Sequence, residues 1–577
     1  MKKSSGLTWL RQHTKEYRRY ICVLTAIEIL ISLVGVCYAI VMKRMVDKAV
    51  AGDVHGFVMG MLGFAGLIAI QLLFRIISRQ LGEFTGSGME NALKLHVFSA
   101  LFRKKYEPVS KIHSEEWMNR MTSDAAICAK GMTDILPGFV GMSIRLVGAL
   151  VLLFVLQPGL ALVLIPGGFL FLILTMFLRK PLKHFHKEVQ KQDGRVRMYL
   201  QERIAGMLIV RTFGVEDVMV TGAHEVMEDY KHARMKKAAV SNLCNSGFSL
   251  VMNGLYLLGM GYCGYGILQG AVSFGTLTAV IQLIGQLQSP LAGLSGYIPR
   301  YYAMIASGER LMEVEDYPEV DQKRLLSKEA ADKIYREAVQ NIVFDHVSFC
   351  YDGEPGNPDF DFGTPSVESV NDKSRLPVLH QLSFSVAKGD YVAITGASGC
   401  GKSTLLKVLM GIYEPCEGVA EFVMKDGTTM PLWNVRRLFS YVPQGNFLMS
   451  GRIKDVIAFG KPSESERLEQ VIHLACADFI NQLPKGMDTI LGEKGAGLSE
   501  GQMQRIAIAR ALYANCPILI LDEATGALDE QTEEQLLHNL QSLTEKTVFI
   551  VTHRPGAISI CNKRLFFENG NVREQSI

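Results

Sequence analysis

Residues 396–404 read "GASGCGKST" and residues 516–525 read "CPILILDEAT". The first stretch fits G-x-x-x-x-G-K-[ST], with the strand-like "YVAIT" before it and the helix-like "TLLKVLM" after it. Its glycines allow backbone N–H groups to turn inward around phosphate oxygens, and the helix start behind them adds positive potential. Gly396, Ala397, Ser398, Gly399, Cys400, Gly401, Lys402, Ser403 and Thr404 are therefore expected to cradle the phosphates of a nucleotide. Lys402 should reach the β- and γ-phosphates, and Ser403 should ligate Mg²⁺. The second stretch is an apolar strand that ends in two acids, an arrangement that is costly when buried unless it meets a cation or water. Asp522 suits Mg²⁺, directly or through water, and Glu523 is placed to act as general base on the attacking water. "VFIVTHR" (548–554) is a further apolar strand. It ends in His553, which would contact the γ-phosphate and hold Glu523 and water in line.

About a hundred residues after the glycine loop stands "GLSEGQMQR" (497–505), ahead of the apolar helical run "IAIARALY". Ser499 and Gln502 fit a capping box, S-x-x-Q. That accounts for the serine but not for Gly501, since glycine weakens a helix start. A glycine there allows something to approach the backbone.

These motifs must be carried by two regions of different character. The chain has 577 residues, too many for one core, with 20% charged residues and a net charge of only +3. Its mean hydropathy of +0.17 points toward a membrane. The small net charge, with no aromatic-basic stripe, argues against a nucleic-acid partner. Eleven scattered cysteines without a CxxC pair fit a reduced compartment better than a disulfide framework or a zinc site. The basic, polar first twenty residues do not read as a cleaved signal peptide.

Residues 1–310 carry six apolar runs, at 21–42, 56–77, 135–156, 159–178, 247–268 and 276–298. Each is about the length a helix needs to cross ~30 Å of hydrocarbon. Lys and Arg concentrate before the first run and in the long segments 75–134 and 179–246. The positive-inside rule then places both termini and those segments in the cytoplasm. Their helical periodicity predicts that the membrane helices extend well past the bilayer. Residues 311–340 are polar and charged and read as a linker. From 341 to 577, short β-branched runs alternate with amphipathic helical stretches and glycine turns, the pattern of an α/β nucleotide-binding domain. The expected fold is thus a multidomain membrane protein, an all-α six-helix transmembrane domain followed by an α/β P-loop NTPase domain.

Together, the phosphate loop, the acid pair, the strand-end histidine and "LSEGQ" resemble the ATP-binding cassette (ABC) family. The six-helix half fused ahead of them is similar to its exporter-type half-transporters. The resemblance spans nearly the whole chain. It implies that two cassettes pack head to tail, with each ATP between one chain's phosphate loop and the other's signature. Ser499, Gly501 and Gln502 would then bind a nucleotide held by the partner. It further implies that Tyr351 in "VSFCY" stacks on adenine and that Gln444 in "YVPQGN" senses Mg²⁺. Asp529 in "GALD" would lie at the dimer interface. Segments 113–125 and 200–216 resemble those around the two cytoplasmic loops whose short helices press on the cassettes.

The sequence departs from the family pattern in two places. Glu500 replaces the second glycine of the signature, so a homodimer and an asymmetric heterodimer with one weakened site both stay open. Residues 352–377, between Tyr351 and the next strand, form a Pro-, Gly-, Asp- and Ser-rich insert read as a flexible surface loop.

In the membrane half, Glu28 and Arg145 lie at similar depth in their runs, roughly 17–21 Å from the outer ends at about 1.5 Å per residue. They either pair across an inner cavity or leave Glu28 solvated near the cytoplasmic face. Asn253 with Tyr256, and Gln282 with Gln286, share helix faces and could line a substrate path or bond between helices. The expected function is ATP-driven transport by a dimer in the cytoplasmic membrane, exporting an amphipathic small molecule, lipid or peptide. An importer of siderophore-like substrates on the same fold is the alternative. No peptidase segment precedes the first run, so leader-peptide cleavage is not expected.

Overall fold

The computed structural model describes residues 6–322, 324–351, 377–445, 447–492, 497–568 and 570–576; for 163–183, 291, 292, 295 and 576 only the backbone is described. Apart from Pro377, the insert at 352–377 lies outside the described residues. The chain divides into two compact units, Met1–Phe102 with Ile112–Asp316, and Arg103–Lys111 with Tyr317–Ile577.

The first unit is helical. Its elements are α1 (Gly6–His13), α2 (Arg18–Val50), α3 (Val54–Leu101), then, after a short α4 (Tyr106–Ser110) that belongs to the second unit, α5 (Ser114–Asn119), α6 (Ala125–Leu156), α7 (Pro158–Ala205), α8 (Met207–Phe213), α9 (Glu216–Leu268) and α10 (Phe274–Asp316). Six of these are long, at 33, 48, 32, 48, 53 and 43 residues for α2, α3, α6, α7, α9 and α10. A 48-residue helix is about 72 Å long, more than twice the hydrocarbon thickness. The basic segments 75–134 and 179–246 are largely continuations of these rods. Among the described residues, Lys15–Val50, Val54–Leu101 and Ser114–Leu156 are long and apolar enough to cross a membrane.

Packing follows spacing. On α2, Ile21, Leu24, Ile27, Ile31, Gly35 and Ala39 recur at intervals of three and four and form one buried stripe. On α3 only Thr85, Met89, Leu93 and Val97, each four apart, are buried. The opposite end of α3 leaves Leu62, Leu72 and Leu73 exposed, a surface suited to lipid.

The second unit holds α11 (Lys328–Glu337), β1 (Val339–Phe349), β2 (Leu379–Ala387), β3 (Tyr391–Gly396), α12 (Lys402–Leu409), β4 (Glu417–Met424), β5 (Thr429–Pro431) and β6 (Phe439–Val442). β7 (Gly451–Arg452), α13 (Ile453–Ala458), α14 (Ser465–Leu474), β8 (Ile490–Leu491), α15 (Glu500–Tyr513) and β9 (Ile518–Asp522) follow. α16 (Glu530–Gln541), β10 (Thr547–Val551), α17 (Pro555–Ser559), β11 (Lys563–Glu568) and β12 (Asn571–Ser576) complete it. One sheet has the order β12-β11-β3-β10-β9-β6, and an antiparallel sheet has the order β2-β1-β4-β5. In the larger sheet β11, β3, β10, β9 and β6 run parallel.

β9 and β10 are buried at every residue, as expected for parallel strands covered on both faces. Their alternation assigns the faces. Ile518, Ile520, Phe549 and Val551 enter one core, whereas Leu519, Leu521, Val548 and Ile550 enter the other.

The 311–340 stretch is not a bare tether. α10 continues through Asp316 with Leu311 and Val314 fully buried, and α11 buries Ala331 and Tyr335, four apart. The Tyr335 hydroxyl lies 2.7 Å from Thr547 Oγ1. The short helix α4 is fixed in the second unit. Lys105 pairs with Glu414 at 2.7 Å, and its N–H donates to Pro318 O at 2.9 Å. It lies just upstream of the 113–125 segment singled out from sequence. α8 falls inside the 200–216 segment, with Leu208 and Phe213 largely exposed.

Candidate functional site

Parallel register gathers the motifs. Val551 of β10 pairs with Ile394 of β3 on one side and with Asp522 of β9 on the other. The glycine loop, the acid pair and His553 therefore emerge at the same carboxyl edge of the sheet, where open α/β sheets bind ligands.

The loop leaves β3 with Gly396, Gly399 and Gly401 at φ +148°, +81° and +107°, a region side chains rarely adopt. At Gly396 a Cβ would also run into the Phe567 carbonyl. Lys402, at the start of α12, is buried and donates from Nζ to Gly396 O at 2.5 Å and Ala397 O at 2.8 Å. Its ammonium thus spans the mouth of the loop. Ser403 beside it is exposed at the helix start, while Thr404 is buried and lies 3.0 Å from the Tyr351 hydroxyl. The Tyr351 ring is 39% exposed and makes T-shaped contacts with Phe349 and Tyr413.

Asp522 is buried, and its Oδ2 accepts from the Tyr441 hydroxyl at 3.0 Å. Burial pushes its carboxyl above the usual range, the Tyr441 hydrogen bond pulls it down, the Glu523 charge raises it and Lys402 lowers it. Glu523 adopts φ +51°, uncommon for a residue with a side chain, and its N–H donates to Val551 O at 3.0 Å. This turn sets its carboxylate apart from that of Asp522. Glu523 Oε2 accepts instead from Gln444 Nε2 at 2.7 Å. His553 is exposed at the end of β10.

The signature stretch is built differently. Both halves of the capping box are present. Ser499 Oγ accepts from the Gln502 N–H at 3.3 Å, and Gln502 Oε1 accepts from the Ser499 N–H at 2.9 Å. What approaches Gly501 within this chain is a carbonyl: a Cβ there would lie 2.7 Å from Ala527 O. Gln504 seals the same contact, accepting from the Ala527 N–H at 3.1 Å. Asp529 caps α16 by accepting from the Thr532 N–H at 2.9 Å, and that bond holds its carboxyl below the usual range. Glu500 is exposed in the first turn of α15.

Three residues escaped sequence reasoning. Tyr441 orients Asp522. Gln504 fixes Ala527. Arg554 donates to Gly526 O at 2.7 Å, Leu528 O at 3.1 Å and Glu533 Oε2 at 2.6 Å, clamping the segment between Glu523 and Asp529. Tyr441 and Arg554 adjoin recognised motifs, but their partners lie 81 and 21–28 positions away and have no local signature.

Known proteins carry the same two-part organisation. Residues 21–291 match the ABC transporter transmembrane region, and residues 379–526 match the ABC transporter family. The chain belongs to the ABC transporter family. It is 26% identical over 98% of its length to the uncharacterized ABC transporter ATP-binding protein YknU of Bacillus subtilis, covering 93% of that protein. It is 33% identical over 67% of its length to the probable multidrug resistance ABC transporter ATP-binding/permease protein YheI of the same organism, covering 62% of it. A bacterial Atm1-family ABC exporter solved with ATP bound shares the fold, with a TM-score of 0.75 at 24% identity over 97% of this chain and 95% of that one.

This ABC transporter is an exporter-type membrane protein whose cassette couples ATP hydrolysis to transport, and its architecture calls for a second half. The loop fits the nucleotide: three glycines leave room for phosphate oxygens, and Lys402 supplies the cation. A Mg²⁺ ion would find Ser403, Gln444 and Asp522, an oxygen donor set suited to a hard cation. Bound there, it would neutralise phosphate charge.

In the membrane unit, Glu28 and Arg145 line one cavity of about 650 Å³ among α2, α3, α6 and α10. Glu28 Oε1 accepts from Ser78 Oγ at 2.9 Å, and among the described residues no ion pair joins it to Arg145. Arg145 Nε is buried without a partner. Gln286 Nε2 bonds Gly35 O at 2.6 Å, tying α10 to α2, while the buried Oε1 atoms of Gln282 and Gln286 lack partners. Asn253 and Tyr256 are exposed and, like Gln282 and Gln286, lie off this cavity.

Proposed function

We propose that the chain is a half-transporter that closes with a second half over two ATP molecules and exports an amphipathic small molecule, lipid or peptide across the cytoplasmic membrane. Both termini and the cassette face the cytoplasm, and all six apolar runs span the bilayer. The observation that carries this reading is the split of the chemistry. Lys402, Asp522 and Glu523 converge at one sheet edge, whereas the exposed Ser499 and the half-buried Gln502 exchange their capping hydrogen bonds at the tip of α15. A helix tip so placed leaves the exposed Ser499 side chain open to a nucleotide held by a partner.

In this reading Tyr351 stacks on adenine and the loop 396–404 holds the phosphates. Glu523, oriented by Gln444, takes the proton from the attacking water, and His553 keeps the γ-phosphate and that water aligned. Ser499, Gly501 and Gln502 complete the opposite site, with Asp529 at the interface. Export is supported by the membrane-first order and by the multidrug-resistance relative. Glu28 and Arg145 form part of the membrane path.

Glu500 favours a second reading, an asymmetric heterodimer in which this chain's signature completes the weaker site. ATP turnover by the purified chain alone, beside Glu523→Gln, separates the two. The homodimer requires turnover that falls about 10²–10⁴-fold in the variant. A lone chain that binds MgATP without turnover points to the heterodimer. Undiminished turnover by a strict monomer overturns both.

A further inference from the structure

Three side chains far apart in sequence meet in the first unit: His13 at the end of α1, His96 near the end of α3, and Glu315 near the end of α10. The ligand atoms they offer all lie within 4.8 Å of one another. Glu315 Oε1 is 3.2 Å from His96 Nε2 and 3.6 Å from His13 Nε2. Two ligands each ~2.0–2.1 Å from a tetrahedral zinc ion stand about 3.3–3.4 Å apart. The observed spacings bracket that edge.

A second observation concerns the far side of the imidazole. His13 Nδ1 lies 3.0 Å from the Trp9 carbonyl oxygen. A carbonyl only accepts, so Nδ1 donates there, and Nε2 is the ring nitrogen that faces Glu315. Metal-ligating histidines show this arrangement, with the outer nitrogen donating to a carbonyl or carboxylate. The carboxylate is oriented as well, because the fully packed Trp9 donates from Nε1 to Glu315 Oε1 at 2.5 Å. The scaffold beneath is tight. A Cβ at Gly6 would lie 2.9 Å from Glu309 Cγ, and one at Gly308 would lie 2.9 Å from Leu10 Cδ1, so α1 and α10 touch through glycine.

We propose that His13, His96 and Glu315 form a binding site for a borderline divalent transition metal, with Zn²⁺ the expected ion. Two imidazoles and one carboxylate suit such metals, whereas Mg²⁺ prefers an all-oxygen shell. The two histidines are half-buried and Glu315 is exposed, so a fourth position is open to water. The bound ion ties α1, α3 and α10 together at one end of the helical unit, two residues before Tyr317 begins the second unit.

The test uses the full-length protein in detergent, stripped with chelator and titrated with Co²⁺ and Zn²⁺. Wild type should bind one equivalent that His96→Gln and Glu315→Gln lose or bind at least tenfold more weakly. Trp9→Phe, which removes the indole hydrogen bond to Glu315 together with part of a buried ring, should weaken binding about 10–100-fold. Cu²⁺ on the wild-type protein supplies a reading independent of any variant's folding: its electron paramagnetic resonance spectrum should show coupling to imidazole nitrogen. That coupling should fall from two nitrogens to one in His13→Ala, with weaker quenching of Trp9 fluorescence. Equal stoichiometry and affinity in wild type and all three ligand variants would overturn the proposal. So would a wild-type Cu²⁺ spectrum without nitrogen coupling, which leaves a cluster that exchanges protons only.

Discussion

At the phosphate loop, the groups that would act are held by partners in the same cassette: Lys402 by two loop carbonyls, Asp522 by Tyr441 and Glu523 by Gln444. At the signature, Ser499 and Gln502 are satisfied by each other at a helix end, and only the backbone at Gly501 is locked, against Ala527. One end is preorganised around a ligand of its own. The other is a helix tip closed on itself by its capping box, with Ser499 exposed. The contrast teaches that the same loop of chain, Glu523 to Asp529, serves both: Glu523 starts it, while Gln504 and Arg554 pin its middle to the signature helix and to α16. Whatever displaces one end has a short, stiff path to the other.

The sharpest way to break this contrast is Lys402→Ala. It should lower ATP turnover by ~10²–10³-fold and weaken binding of labelled ATP in parallel. Gly501→Ala should separate the two ends. Its Cβ, 2.7 Å from Ala527 O, forces a shift worth ~1–3 kcal/mol, so turnover should fall about tenfold or more while ATP binding at the loop stays intact. Lost binding in Gly501→Ala would erase the distinction. Arg554→Ala frees Gly526 O and Leu528 O and unpairs the buried Glu533. A stability loss of about 1–3 kcal/mol should follow, with faster hydrogen exchange confined at first to 526–529. Smallest is Ser499→Ala, which removes a cap worth ~1 kcal/mol. Its companion Ser499→Asn preserves the cap. If Ser499 serves a partner's nucleotide, turnover should drop in both variants, and full activity in Ser499→Asn would reduce the serine to a helix start.

Much of this was legible without coordinates because it is local. Glycine spacing in 396–404, an apolar strand ending in Asp522-Glu523, and a serine three residues before Gln502 each specify their own backbone. The unbroken burial of β9 and β10 follows from their apolar runs. Composition alone did not show that the linker stretch carries helix: its charged residues sit on one face, while Ala331 and Tyr335, or Leu311 and Val314, bury the other. The glycine at 501 was correctly read as allowing close approach. That the approaching group is the Ala527 carbonyl of the same chain could not be read, because 26 positions separate them.

Sequence by itself determined which short segments hold phosphate, which carry paired acids and which are apolar enough for lipid, since those properties depend on residues within one or two turns of each other. Tertiary structure alone decided which of them meet. The parallel register of β3, β10 and β9 brings Gly396, Asp522 and His553 to one edge, because a single shared strand fixes both neighbours. Rod-like helices carry His13, His96 and Glu315 to the same end of the unit across 302 positions of chain, because a straight helix converts distance along the sequence into distance along an axis.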